Sequence, residues 1–179
     1  MLASYDCVIY TSNMDAHTLN LLGALSVGCS DFQQSAMAEI GLSHAELAAL
    51  LAVYTRPGST VGDVSLTAGL THSGAVRVLD RLSKGGWTKR KTGRDRRTVA
   101  IYCTPGGRKK AKLALSLRQA ALRNLTKGLD KRDLAAFQKV AEKLLSRLPQ
   151  DRADAWRICR MCDHGVCAGA DCPVGKAIP

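Results

Sequence analysis

Aromatic residues are scarce, at 4% of the chain, so a platform of stacked rings for single-stranded nucleic acid is not expected. No Lys or Arg precedes Arg56, which argues against a secretory leader with a basic start. No apolar run approaches the ~20 residues of a membrane-spanning helix, so no membrane partner is expected and the cytoplasm is the expected location. A phosphate-cradling glycine loop, a paired-carboxylate motif and a nucleophile–base pairing are all missing. The chain therefore does not read as an enzyme.

What is present is a foldable composition, 46% hydrophobic and 23% charged, with a formal net charge of +11. The first 60 residues hold one cation, Arg56, against five carboxylates. Residues 84–132 hold sixteen Lys and Arg against Asp95 and Asp130. Charge of one sign on one continuous stretch favours a polyanionic partner.

The stretch Thr60–Thr104 carries the organisation. Thr60 is suited to cap a short helix, with Asp63 near its start. Val61, Val64 and Leu66 are expected to face inward, and Gly69 to stop the helix. Thr71 caps a second helix in which Val76, Leu79 and Leu82 share the inward face. Thr71, His72, Ser73, Ala75, Arg77, Arg81 and Lys84 are left facing out, and Gly85-Gly86 ends the helix. An outer face of hydroxyl, small and cationic groups, braced by a preceding helix, suits the major groove of DNA.

Two strands follow, Trp87 to Lys91 and Thr98 to Cys103, joined by Thr92-Gly93-Arg94-Asp95-Arg96-Arg97. Lys84, Lys89, Arg90 and Lys91 are candidates for phosphate contacts. Arg94, Arg96 and Arg97 suit a phosphate backbone or a narrow minor groove, with Asp95 holding a neighbouring guanidinium. Taken alone, a solvated charged turn is the lesser alternative for this loop.

The run GLTHSGAVRVLDRL, the Asp95-x-Arg97 pair and the Thr104-Pro105-Gly106-Gly107 helix entry together resemble the winged helix–turn–helix of the MarR family of bacterial transcription regulators. The resemblance covers roughly Asp15 to Leu148. It implies a mainly α fold with a two-stranded β wing, in which N- and C-terminal helices form a dimerisation domain. It implies a homodimer that binds double-stranded DNA, usually a repressor on a pseudo-palindromic operator, released by a small-molecule effector, a metal or a redox signal. Trp87 and a cysteine-bearing tail depart from the family pattern.

The expected organisation is a flexible segment 1–14, a winged-helix domain 15–148 and a Cys-rich tail 149–179. Within the domain, the DNA-binding lobe is about 43–104 and the dimerisation helices about 15–41 and 105–148. In the first of these, Leu19, Leu22, Leu25, Phe32, Ala36 and Ile40 are candidate inward positions, with a break near Cys29-Ser30. Ser43 and Glu46 form a capping-box pattern ahead of Leu47, Leu50, Leu51 and Tyr54. Gly106 to Lys127 reads as a long helix, another starts near Asp130, and Pro149 closes it. So much apolar helical surface at both ends points to a dimer.

The tail contains Cys159, Cys162, Cys167 and Cys172 within fourteen residues. Four soft ligands at this spacing suit zinc first and an iron–sulfur cluster second. A reversible disulfide, or inert thiols with no cofactor, are the alternatives. His164 is better placed as a neighbour than as a ligand. A metal or redox protein whose tail carries the function is the rival to the DNA-binding reading. Cys7, Cys29 and Cys103 read as ordinary, Cys103 as buried filler.

Overall fold

A computed structural model describes residues 14–93, 98–167 and 172–178. The order is α1 (Ala16–Met37), a 3-10 turn, α2 (His44–Thr55), α3 (Val61–Ala68), α4 (His72–Lys84), β1 (Thr88–Thr92), β2 (Val99–Cys103), α5 (Pro105–Leu125), α6 (Lys131–Leu145), α7 (Arg152–Ile158) and α8 (Pro173–Lys176). It is a winged helix–turn–helix: mainly helical, with one antiparallel strand pair. Residues 1–13 and the wing tip Arg94-Asp95-Arg96-Arg97 lie outside the described residues.

The core gathers around α2. Ser43 accepts from the Glu46 N–H while Glu46 accepts from the Ser43 N–H, so two orphan donors of the first turn are satisfied reciprocally. Every residue from Leu47 to Val53 is buried. A helix apolar all round must be covered on all sides, and α3, α4, α5 and β2 supply the cover. Burying each leucine here contributes about 1.5–3 kcal/mol.

Several expectations are corrected. α1 runs unbroken through Cys29 and Ser30; the glycines at 23 and 28 interrupt nothing, because ordinary helical φ is open to glycine. Leu19, Leu22, Leu25 and Phe32 are exposed in the single chain, while Met37 and Ile40 are buried. Leu66 is 50% exposed, and Thr67 takes the inward place. On α4, Ala75 is fully buried and Val78 joins Leu79 and Leu82 inside, leaving Val76 half-buried. α4 packs against both α2 and α3, so its buried face is wide enough to take in the small Ala75. The last helix before the tail, α6, ends at Leu145, short of Pro149, and none of its residues is buried.

β1 and β2 pair Thr88 with Cys103 and Thr92 with Val99. Ser59 adds an isolated bridge on the free edge of β2: Ile101 donates to its carbonyl at 2.9 Å, and Gly58 donates back to the Ile101 carbonyl at 2.9 Å. The wing base is thereby tied to the segment between α2 and α3. Gly107 secures the other side, since a Cβ there would overlap the Trp87 carbonyl. Trp87 is half-buried, with the Lys110 ammonium 4.4 Å from its ring centroid.

Candidate nucleic-acid interface

α3 and α4 form the helix pair. Thr60 and Asp63 make a capping box at the start of α3. Gly69 ends it at φ 67, a left-handed value that costs glycine little. Thr71 then accepts from the Gly74 N–H at 3.1 Å and caps α4. This cap places Thr71, His72 and Ser73 exposed at the leading end of α4, with Arg77 exposed one turn on and Lys84 exposed at the far end.

Arg81 and Arg90 are held by carboxylates. Arg81 Nε donates to Glu46 Oε1 at 2.6 Å, joining α4 to α2. Arg90 Nη2 donates to Asp80 Oδ1 at 2.7 Å, joining β1 to α4. The Glu46 carboxyl is held below its ordinary value first by the Arg81 hydrogen bond, opposed by burial and reinforced by Ser43. Strand alternation puts Lys89 and Lys91 on the face of β1 opposite Arg90. There they line a crevice of about 230 Å³ with Tyr102 and Arg108, and Lys91 sits 5.7 Å from the Tyr102 ring centroid. So the structure groups Thr71, His72, Ser73 and Arg77, and it splits the basic strand between two faces.

Glu46 and Asp80 have parts in this site that the sequence did not reveal. Each fixes a guanidinium on a neighbouring element. A carboxylate 35 residues from its partner carries no local signal of that kind.

The tail packs on α3. Trp156 of α7 lies under Arg56, whose guanidinium carbon is 3.9 Å from the ring centroid. Arg56 in turn donates to the Thr67 hydroxyl of α3. Side-chain carbon of Arg157 approaches to 3.4 Å of where a Cβ on Gly69 would stand. Gln119 of α5 donates to Asp163 at 3.3 Å.

The cysteines gather at the end of α7. Cys159 and Cys167 pack on the small cluster of Ala155, Cys172 and Val174, and the Cys162 N–H donates to the Cys159 carbonyl at 2.9 Å. Cys159, Cys167, Cys172 and His164 line one cavity of about 300 Å³. Hydrogen bonding from Cys159 holds the Cys162 thiol below its ordinary range, with Arg118 and His164 adding to the effect against burial. Cys159 is pushed up by the same bond and by burial. No three histidine, cysteine or carboxylate side chains among the described residues are already grouped as metal ligands are. His164 Nε2 stands 3.2 Å from the Cys159 carbonyl oxygen. Cys103 is buried, and burial pushes its thiol up to about 11.

Among the described residues no single helix is long and apolar enough to cross a membrane. Residues 40–98 match the model of the MarR family. The transcriptional repressor MprA of Escherichia coli (strain K12) is 26% identical over 117 residues, which cover 64% of this chain and 66% of that protein. Among solved structures, a MarR family protein from Bacillus stearothermophilus superposes with a TM-score of 0.65 at 21% identity, covering 73% of this chain and 95% of that one. A mutant MarR from E. coli complexed with operator DNA superposes with a TM-score of 0.57 at 20% identity, covering 73% and 94%.

Proposed function

We propose that this chain, which carries a MarR family domain over residues 40–98, is a DNA-binding transcriptional regulator that acts as a homodimeric repressor on a pseudo-palindromic operator. One observation carries the reading. Thr71, His72, Ser73 and Arg77 stand exposed on a helix clamped to its neighbours by Glu46–Arg81 and Asp80–Arg90. A rigid helix with that outer face is what major-groove readout needs. Thr71, Ser73 and Arg77 approach bases; Lys84, Lys89 and Lys91 meet phosphates. Arg94, Arg96 and Arg97 reach the minor groove or backbone, with Asp95 orienting them. Arg81 and Arg90 position the helix and the wing and add positive charge. The operator complex of the E. coli relative supports the same mode of binding.

The lobe is about 43–104, and the helices 15–41 and 105–148 form the dimer. Leu21, Leu22 and Leu25 of α1 and Phe137, Val140 and Leu144 of α6 are exposed in the single chain, and a two-fold partner would cover them. Release follows a small-molecule, metal or redox signal. A polar crevice of about 210 Å³, lined by His44, Arg118 and Arg160 between α1, α2, α5 and the tail, offers a place for an anionic effector. The chain acts by binding rather than by catalysis.

An electrophoretic mobility shift with DNA from upstream of the chain's own reading frame tests this. A discrete complex that Arg77→Ala and Arg97→Ala each weaken is the expected result. Equal binding by wild type and both variants would remove the interface from the account.

A further inference from the structure

We propose that Cys159, Cys162, Cys167 and Cys172 bind one zinc ion as four thiolates, and that this centre clamps α7 onto α3. Cys159 is the hub: the Cys162 N–H donates to its carbonyl at 2.9 Å, and with Cys167 it packs on the small cluster of Ala155, Cys172 and Val174. Cys167 borders the same cavity as Cys159 and Cys172. Four thiolates at a Zn–S distance of about 2.3 Å stand about 3.8 Å apart around a tetrahedron. Zinc takes four such soft ligands in a closed tetrahedral shell with no open position.

The backbone favours thiolates here. Gly175 N–H donates to Cys172 Sγ at 3.2 Å. The turn closed by Cys162 N–H on the Cys159 carbonyl, 2.9 Å, keeps the first two cysteines adjacent. Rotating the side chains of Cys162 and Cys167 towards Cys159 would close the set. Binding releases the four thiol protons and leaves a centre of net charge −2. Arg118 supplies an opposing charge nearby: it lines a crevice with Ile158, Arg160 and Met161, and its Nε is buried without a hydrogen-bond partner among the described residues. His164, held at the Cys159 carbonyl, stays outside the four ligands.

The clamp follows from position. Cys159 is the residue at which α7 ends, and Trp156 and Arg157 one turn earlier touch Arg56, which caps the end of α2, and Gly69, which ends α3. A closed zinc site fixes the exit of α7 and therefore its seat on α3. Any consequence for operator affinity rests on the DNA-binding reading; the metal site itself does not.

The test uses the full chain, purified under reductant without chelator. Expected are one zinc ion per chain by mass spectrometry of the metal and, after cobalt exchange, the absorption bands of a tetrahedral tetrathiolate. Cys159→Ser and Cys172→Ser should each lower zinc affinity about 100-fold or more, while Cys29→Ser leaves it unchanged. Chelation should shift Trp156 fluorescence in a Trp87→Phe background. Absence of zinc, iron with acid-labile sulfide, or a Cys159–Cys162 disulfide in the reduced preparation would overturn the proposal. The cobalt spectrum of the wild type stays decisive even if a serine variant fails to fold. Duplex binding is read separately, so loss of one reading does not mimic loss of the other.

Discussion

Glu46 Oε1 accepts from Arg81 Nε at 2.6 Å while its other oxygen accepts from the Ser43 N–H and hydroxyl at 2.9 and 2.8 Å. One carboxylate thus caps the core helix and holds α4. Its side chain is only 14% exposed. Glu46→Gln should cost about 1–2 kcal/mol of stability at neutral pH. The Glu46 carboxyl is depressed in the folded state from about 4.5. Its contribution is therefore present above that pH and is lost as pH falls through the lower, folded value. Urea unfolding at pH 7 and in the acid range should show the gap between wild type and variant narrowing with acid. A constant gap would contradict the assignment.

Gly107 marks where α5 meets the wing. Gly107→Ala forces its methyl into the Trp87 carbonyl, and an overpacked contact of this sort costs about 1–3 kcal/mol. The thermal midpoint should drop, and near-ultraviolet circular dichroism should report a displaced Trp87. An unchanged midpoint would mean the approach is looser than described.

The exposed apolar stripe of α6 should be the dimer seam. Phe137, 55% exposed in the single chain, lies on a helix with no buried residue. Phe137→Glu with Val140→Glu should give a folded monomer in sedimentation velocity, with far weaker operator binding because paired half-sites need both lobes. A dimer that survives would place the seam elsewhere.

Lys89 and Arg90 sit on opposite faces of β1, and Arg90 is tied to Asp80. Lys89→Ala should weaken duplex binding at all sequences alike and lower the salt slope by about 1. Arg90→Ala should instead blur sequence preference, because the wing and α4 lose a shared anchor. Anisotropy titrations across a salt series separate the two outcomes.

How much of this could be read from sequence depends on range. The caps at Ser43, Thr60 and Thr71, the left-handed stop at Gly69 and the strand pair are local, so propensity and turn chemistry reached them. The inward face of α4 takes in Ala75 and Val78 as well as Leu79 and Leu82, because α4 packs on both α2 and α3 and a small residue such as alanine gives little hydrophobic signal of its own. Leu19, Leu22 and Leu25 were assigned inward on periodicity, yet a single chain offers them nothing to pack against. Glu46–Arg81, Asp80–Arg90 and Arg56–Trp156 join distant segments and left no trace in spacing. The cysteine spacing did mark the tail as a unit, although not its seat on α3.

The most direct measurement is selection of duplexes from a random pool by the purified protein, followed by footprinting of the selected site. The account predicts two inverted half-sites about one helical turn apart, protected together and lost together in Arg77→Ala, with affinity falling steeply as salt rises. Failure to enrich any sequence, or a single unpaired patch insensitive to Arg77, would contradict it.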